Sequence, residues 1–434
     1  MRFLGIGESH DLGAMYQRLQ AAGHEVRVYV ANAVYHEKMK GIVPRIENWE
    51  AELSWIRKAG AEGFIIFETT TAGDVQDRLR RDGYNVIGSC SFGDRLENDR
   101  AFGQHWMRKI GLQTAPVREF VDSAEAENFL SRNPRRYVLK PNGAHLEDQE
   151  SYVGVFEDAS DLRLILRRGR SLPSKAHGGF VLMDHLEGVE VGVGAYFNGE
   201  QFMDPVCIDW EHKRFFDGDK GELTGEMGTL ASYRNSGPLF RETLGRMGEA
   251  LRLSNYVGYI NLNTIVNDEG IWPLEFTCRF GYPGFAILDP LHGEGWADLF
   301  DRMISRRRLD FRTLPGFAVG AVLTILPFPA TPNSDRASGW PIQFRRQLSD
   351  EDHRNVHLDE VCKVDGQLFT TGPTGYVMVV TGTGDCVEQA QARAYQLIAG
   401  IIVPNGRYRS DIGARFLASD RASLQKWKLW PHPE

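Results

Sequence analysis

Strand and helix patterns alternate over the first ninety residues, and this alternation constrains the fold more than any other feature of the chain. Short apolar runs typical of buried strands are separated by amphipathic segments that end at Gly23 and Gly83. Such an order predicts βαβ units, which build a parallel sheet with helices on both faces. The predicted strands are residues 2–6, 25–31, 63–68 and 84–87, and the predicted helices are residues 12–22 and 73–81. We therefore predict a doubly wound α/β domain with its functional groups at the carboxyl ends of the strands.

The chain is too long for a single hydrophobic core. Its 434 residues correspond to about two to four domains. After Gly88 the pattern changes to a charged amphipathic helix over residues 94–110, and beyond Pro315 strand-like runs dominate. We predict an N-terminal α/β domain over residues 1–95, a central α+β domain over residues 96–311 and a C-terminal β-rich domain over residues 312–434.

Composition and charge argue against several classes of function. A formal net charge of −8 gives no overall attraction to nucleic acid or anionic membranes, so any phosphate binding has to be local. The five cysteines lack the spacings of a disulfide framework or a zinc site. The Gly5-Ile6-Gly7 turn lacks the third glycine of a dinucleotide fingerprint, which argues against a nicotinamide cofactor. We expect a cytoplasmic protein, monomeric or homodimeric, that binds small molecules but neither nucleic acid nor a membrane.

A predicted hairpin, residues 257–266 and 272–280, carries the first candidate site. Glu275 and Arg279 lie on one face if the second strand runs straight. Magnesium prefers hard oxygen ligands and usually keeps phosphates among them, so a carboxylate on a strand beside a fixed cation suits a nucleoside triphosphate site. The residues alone leave a second interpretation open, a solvated ion pair across strands.

Three further segments place polar groups where the chain turns. Lys140 ends an apolar strand, so its ammonium either meets a phosphate or extends into solvent. Residues 183–190 turn at Gly188 and present backbone groups for an adenine edge and Glu190 for ribose hydroxyls, unless they form a charged surface turn. The long glycine- and charge-rich loop of residues 211–228 is either functional or disordered.

In this order, the segments resemble the motifs of the ATP-grasp ligases, and most closely those of phosphoribosylamine-glycine ligase. The family patterns L-E-G-S-K-A-F, V-V-K-A-D-G and E-E-F-L-E-G-E-E correspond to residues 96–102, 138–143 and 186–190. The pattern T-G-G-M-G corresponds to Thr224-Gly225-Glu226-Met227-Gly228. The patterns D-H-K-R, E-F-N-C-R-F-G and R-R-D-I-G correspond to residues 212–214, 275–281 and 409–413. The similarity extends over almost the whole chain.

The resemblance implies an ATP-grasp fold with a lid subdomain at about residues 118–185, and ATP with Mg²⁺ (or Mn²⁺) as cofactors. It implies a ligase in which a carboxylate attacks the γ-phosphate of ATP and an amine captures the resulting acyl phosphate. The implied residues are Arg100, Lys140, Asp184, His185, Leu186 and Glu190 for the nucleotide; Lys213 and Arg279 for catalysis; Arg214, Asp217, Asp219, Thr224, Gly225, Arg409 and Asp411 for substrates; and Glu275 and Thr277 for the metal, with Asn261 or Asn263 as a substitute ligand.

Several positions depart from the family pattern. The family's glycine-rich loop is replaced by residues 143–150, whose three acids oppose phosphate binding, so we expect this loop not to hold phosphates in the usual way. Thr277 replaces an asparagine at the metal position, and Tyr282 and Gly284 replace acidic residues. We therefore expect an amide-forming ligase with a divergent substrate. The alternatives are a genuine phosphoribosylamine-glycine ligase of purine synthesis and a catalytically inactive nucleotide-binding homologue.

Overall fold

The computed structural model describes residues 1–141, 151–167, 179–329 and 337–431. The loop of residues 143–150, for which the sequence predicts an altered role, lies outside these ranges. Within them, no helix has both the length and the apolar character that crossing a membrane requires.

A parallel sheet of five strands opens the chain, in the order β3-β2-β1-β4-β5. Its elements are β1 (Arg2–Gly7), α1 (Gly13–Ala21), β2 (Glu25–Val30), β3 (Arg45–Ile46), α2 (Leu53–Lys58), β4 (Gly63–Phe67), α3 (Gly73–Arg81) and β5 (Asn85–Ile87). The order runs outward in both directions from the neighbours β1 and β4, so the predicted doubly wound fold is confirmed. In β1, Phe3, Leu4 and Ile6 are all buried, as expected for a strand packed on both faces.

The segment after this sheet forms two helices, so the single helix predicted over residues 94–110 is wrong. Helix α4 (Ser91–Asn98) and helix α5 (Arg100–Lys109) meet at Asp99. Asp99 has an extended backbone, and its side chain accepts a hydrogen bond from the N–H of Phe102. This arrangement is an N-cap, which ends one helix and starts the next.

A smaller antiparallel sheet follows, with its four described strands in the order β6-β9-β7-β8. Its elements are β6 (Val117–Phe120), α6 (Ser123–Arg132), β7 (Tyr137–Pro141), β8 (Tyr152–Val153), α7 (Ser160–Arg167) and β9 (Phe180–Asp184). Residues of both helices and three of the strands form a separate hydrophobic core around Leu139 and Leu162. Tyr137 lies opposite Asp184, so the predicted nucleotide residues on β7 and β9 belong to neighbouring strands.

Eight strands of the described residues form one large antiparallel sheet, in the order β16-β15-β10-β11-β14-β17-β22-β19. The elements up to residue 305 are β10 (Val189–Asn198), β11 (Cys207–Glu211), β12 (Arg214–Phe216), β13 (Lys220–Leu223), β14 (Gly228–Ser232), α8 (Gly237–Glu242), α9 (Gly248–Leu253), β15 (Val257–Asn267), β16 (Gly270–Thr277), α10 (Gly284–Leu288) and α11 (Trp296–Ser305). Strands β12 and β13 form a hairpin, so part of the loop predicted over residues 211–228 has regular structure.

The C-terminal part continues the large sheet and adds a second one. Its elements are β17 (Phe317–Thr324), β18 (Pro341–Phe344), α12 (Asp350–Arg354), β19 (Val356–Leu358), β20 (Val361–Val364), β21 (Gln367–Thr370), β22 (Tyr376–Gly384), α13 (Val387–Ile398), β23 (Ile401–Ile402) and α14 (Arg421–Lys426). Because β14 pairs with β17, one sheet contains strands from both sides of residue 312. The domain boundaries therefore stay a prediction.

Candidate functional site

One face of the large sheet is polar and forms the floor of the candidate site. Side chains two positions apart on a strand share a face, and residues directly opposite each other on paired strands do so as well. Asp209 lies opposite Gly192, Gly192 lies opposite Asn263, and Asn263 lies opposite Glu275. These residues therefore share one face with Glu190, Glu211, Asn261 and Thr277. The other face carries buried residues that include Val191, Val193, Trp210, Leu262 and Phe276.

A single extra residue, Leu274, places Glu275 on the polar face. Asn263 pairs with Glu275, whereas the next residue, Thr264, pairs with Pro273, so Leu274 has no partner and forms a bulge. Uninterrupted pairing would put Glu275 opposite Leu262, on the core face. The bulge lies beside a proline, which lacks the N–H that a regular ladder requires. It is therefore this irregularity that makes the Glu275 carboxylate available to the site.

The ammonium of Lys213 lies among three carboxylates at the centre of this face. Its Nζ is 3.1 Å from Glu275, 3.3 Å from Glu211 and 3.7 Å from Glu190. Burial alone would lower the pKa of Lys213, yet these three carboxylates raise it well above its usual value. Conversely, Lys213 lowers the pKa of Glu275 to about 2. Both groups are therefore ionised at neutral pH.

A cavity of about 470 Å³ opens between the small sheet and the large one, and we call it the outer cavity. It brings together the predicted nucleotide residues Lys140, Asp184, His185, Leu186 and Glu190. Apolar side chains between them, including Val138, Val153, Met183 and Ile265, provide walls that suit a flat ring. Arg100 is exposed at the start of α5, near enough for its charge to help lower the pKa of Glu275.

A second cavity of about 190 Å³ lies on the other side of Lys213 and Glu275, and we call it the inner cavity. Lys213 and Glu275 line both cavities, so they form a shared wall. The remaining lining of the inner cavity includes Asp209, Glu211, Gly225, Glu226, Asn261, Asn263, Thr277, Arg279 and Tyr282. Burial, with repulsion from Glu211, raises the pKa of Asp209 to about 8 and that of Glu226 well above its usual value.

Arg279 lines the inner cavity but does not continue the strand that carries Glu275. Strand β16 ends at Thr277, so the prediction of a strand reaching Phe280 is wrong. Glu97 of α4 accepts hydrogen bonds from the Arg279 Nε at 2.9 Å and from the Cys278 N–H at 2.6 Å. Glu97 raises the pKa of Arg279 and fixes its position. This role of Glu97 was not predicted from the sequence, although the residue lies within the first family motif.

The predicted substrate residues divide into two groups. Gly225 lines the inner cavity, and Thr224 donates hydrogen bonds from its N–H and its hydroxyl to the Lys213 carbonyl. The others lie at the β12–β13 hairpin and the C-terminal motif, where their polar groups bond to one another. Arg409 is 1% exposed and donates to Asp411, Asp219 and the Arg214 carbonyl, while Asp217 accepts from Ser410.

These contacts attach the hairpin to the C-terminal motif and so position Lys213. His212 contributes, because its Nε2 accepts a hydrogen bond from the Gly413 N–H. Burial and the nearby Arg409 lower the pKa of His212 to about 4, which keeps the ring neutral and able to accept. Arg415, which the sequence analysis did not identify, follows this motif and lines the outer cavity.

The predicted metal ligands all lie at the shared wall or the inner cavity. Glu275 and Thr277 share a sheet face. Asn263 donates from Nδ2 to Glu190 and Glu211, and its Oδ1 accepts from the Thr264 N–H. Within the described ranges, no group of three or more His, Cys, Asp or Glu side chains is arranged to hold a metal ion by itself. An ion here would therefore need further oxygen ligands, such as the phosphates of a nucleotide.

Comparison with known proteins identifies relatives that span the chain. Residues 98–285 match the family model for the phosphoribosylglycinamide synthetase ATP-grasp (A) domain. The phosphoribosylamine-glycine ligase of Neisseria meningitidis serogroup B is 26% identical over 95% of this chain and 98% of its own length. That of Listeria monocytogenes is 25% identical over 96% of this chain and 100% of its own.

Solved structures agree on the fold. A crystal structure of phosphoribosylamine-glycine ligase from Thermotoga maritima has a TM-score of 0.69 at 24% identity, covering 95% of this chain and 100% of that one. The biotin carboxylase domain of Hydrogenobacter thermophilus 2-oxoglutarate carboxylase, solved with MgADP and bicarbonate, has a TM-score of 0.62 at 12% identity, covering 100% of this chain and 99% of that one. The ATP-grasp fold predicted from the motifs is confirmed.

Proposed function

We propose that this chain, an ATP-grasp ligase similar to the phosphoribosylamine-glycine ligases, joins a carboxylate to an amine at the shared wall of its two cavities. The observation that carries this proposal is that Lys213 and Glu275 line both cavities. ATP occupies the outer cavity with its γ-phosphate at the shared wall, and the carboxylate substrate enters from the inner cavity. A cytoplasmic location belongs to the proposal and is supported by five unpaired cysteines.

The reaction proceeds in two displacements. A carboxylate oxygen attacks the γ-phosphorus, and the bond to ADP breaks to give an acyl phosphate. The amine nitrogen then attacks the acyl carbon and loses a proton, and inorganic phosphate leaves. Lys213 neutralises charge on the transferring phosphoryl group, and Arg279, held by Glu97, orients the carboxylate. These are positioning and electrostatic roles, which dominate catalysis of phosphoryl transfer.

The side-chain oxygen atoms of Glu275, at the shared wall, and of Thr277, in the inner cavity, fit a magnesium or manganese ion bound together with ATP. Glu275 and Thr277 present them on one sheet face, and Mg²⁺ needs only one or two carboxylates beside phosphates and water. When bound, the ion neutralises phosphate charge. Glu275 would hold it, with Thr277 or Asn263 beside it.

The test is release of ADP and phosphate over a panel of acids and amines, with products identified by mass. We expect turnover only when ATP, an acid and an amine are all present, and none in Glu275→Ala. Absence of turnover with every pair, in a protein that binds ATP, would instead indicate an inactive nucleotide-binding homologue.

A genuine phosphoribosylamine-glycine ligase is the second candidate, because the relatives named above carry that activity in their names. It requires phosphoribosylamine and glycine together, and neither alone, to stimulate ADP release. The same panel therefore separates the two candidates, provided that it contains this pair.

A further inference from the structure

Two carboxyl groups that line the inner cavity, those of Asp209 and Glu226, are buried outside any ion pair of the described residues. Asp209 is 7% exposed and accepts a hydrogen bond from Asn261 Nδ2 at 2.7 Å, while Glu226, also 7% exposed, accepts one from the Thr229 hydroxyl. No ion pair joins either carboxyl to a lysine, arginine or histidine of the described ranges. Asp209 Oδ1 is buried and has no hydrogen-bond partner among the described residues.

The two cations that line this cavity are already engaged. Lys213 contacts Glu275, Glu211 and Glu190, and the Nε of Arg279 donates to Glu97. Lys213 therefore already contacts three carboxylates, and neither Asp209 nor Glu226 is one of them. The lining of the inner cavity therefore has an excess of acidic groups.

Burying a carboxyl group without a partner costs free energy, so a protein normally supplies a hydrogen-bonding or ionic partner for it. Here the missing partner has room, because the inner cavity of about 190 Å³ far exceeds the volume, on the order of 15 Å³, that one ordered water requires. Glu226 is also held in place: the Tyr376 hydroxyl donates to its carbonyl, and the next residue, Met227, donates to the His212 carbonyl. Its carboxyl stands where the family pattern T-G-G-M-G has a glycine, which cannot contribute any such group.

We propose that the carboxylate substrate is an amino acid with a second, side-chain cation, and that Asp209 and Glu226 bind this cation in the inner cavity. The inference rests on the proposed function, because it assigns the inner cavity to the acid that is activated. The substrate carboxylate lies toward Lys213 and Arg279, and the ammonium or guanidinium of its side chain lies toward the two carboxyls that lack an ion-pair partner. Glycine, which has no side chain, leaves both carboxyls without such a partner.

The experiment compares cationic amino acids with neutral ones of the same carbon number in the full chain, at saturating ATP-Mg. Ornithine is tested against norvaline and lysine against norleucine, arginine and glycine are added to the two series, and the amine panel is held constant. We expect the kcat/KM for ADP release to be at least about 100-fold higher for the best cationic acid than for its neutral counterpart, as for a site whose buried polar groups are otherwise left unpaired. Equal rates for the two series, or a preference for glycine, would overturn the inference and leave the ligase function intact. No turnover with any acid, while ATP still binds, would overturn the proposed function and this inference with it.

Variants test the two carboxyls directly. Glu226→Gln and Asp209→Asn keep the size of the side chain but cannot ionise to pair with a bound cation, and each should reduce the preference for the cationic acid at least about tenfold, mainly through KM. Glu222→Gln, on the exposed β13 strand, is the matched control. ATP binding and the melting temperature verify folding of each variant. An unchanged preference in both folded variants would contradict the assignment of these residues.

Discussion

Lys213 Nζ lies 3.1 Å from Glu275 Oε1, at the wall that the outer and inner cavities share. The lysine follows β11 and the glutamate lies on β16, so two separate strands must be in register for the contact to form. The Thr224 N–H and hydroxyl hold the lysine backbone, and the Leu274 bulge turns the glutamate toward it. The contact thus depends on two local features, the hydrogen bonds from Thr224 to the Lys213 carbonyl and the bulge at Leu274.

Replacing Lys213 with methionine should reduce kcat for ADP release by about 100-fold or more, the usual effect of removing one electrostatic contact to a reacting group. The change also leaves Glu190, Glu211 and Glu275 facing one another, so the pKa of Glu275 should rise from about 2. Steady-state kinetics would measure the loss, with Lys220→Met on the exposed β13 strand as the control. A Lys213→Met enzyme with wild-type kcat would exclude Lys213 from phosphoryl transfer.

Glu97→Gln should affect binding of the carboxylate substrate more than the chemical step. The substitution weakens the contacts at 2.9 Å to Arg279 Nε and at 2.6 Å to the Cys278 N–H, and so loosens the guanidinium that we assign to the carboxylate. We expect KM for the acid to rise about tenfold or more while KM for ATP stays within about twofold. Glu125→Gln, on the exposed side of α6, is the matched control. Equal increases in both KM values would indicate general damage rather than loss of a positioning contact.

The sequence predicted the elements better than it predicted the contacts between them. Apolar periodicity was sufficient for four of the five strands of the parallel N-terminal sheet, but not for the two-residue edge strand β3. Motif order linked Lys140, Asp184 and Glu190, which line one cavity. The bulge at Leu274 could not be predicted, because strand periodicity does not reveal where one residue is skipped. A prediction that does not include the bulge therefore cannot place Glu275 on the polar face.

The acidic wall of the inner cavity was also missed, for a related reason. Asp209 lies in the middle of a strand whose first four residues are buried, and an acid there does not by itself indicate a site. Only the pairing of β11 with β10, and of β10 with β15, brings it beside Asn261. The helix break at Asp99 was missed because an N-cap inside a continuous amphipathic pattern resembles an ordinary polar position.

Arg409→Met should destabilise the fold and release the β12–β13 hairpin. The arginine is 1% exposed and bonds Asp411, Asp219 and the Arg214 carbonyl. Removing a buried partner of this kind costs about 3 to 5 kcal/mol, and we expect the lower end because Asp219 is 43% exposed and partly screened by solvent. Urea titration would measure the free energy of unfolding, and limited proteolysis would report cleavage within residues 214–223. Arg132→Met, at an exposed position at the end of α6, should change neither.

The stability of the N-terminal sheet should depend on pH through Glu68, which follows β4 at the switch point and is 2% exposed. Burial, with repulsion from Asp11, raises the pKa of Glu68 from 4.5 to about 7. Between pH 4.5 and about pH 7 the folded state binds more protons than the unfolded state. The contribution of Glu68 to the free energy of unfolding is therefore fully present below pH 4.5 and is lost as the pH rises through about 7.

In the Glu68→Gln variant this side chain is neutral at every pH, so the variant does not lose stability in this way. We therefore expect the variant to gain stability relative to the wild type as the pH rises, by at most about 3 kcal/mol for a shift of this size. Urea titrations of both proteins at about pH 5 and about pH 8 give four free energies of unfolding. The difference between variant and wild type is taken at each pH, and its change between the two pH values isolates Glu68 from every other titrating group. Glu47→Gln, at a side chain that is 83% exposed, should show no such change. A difference between Glu68→Gln and wild type that is the same at both pH values would mean that Glu68 has the same pKa in the folded and unfolded chains.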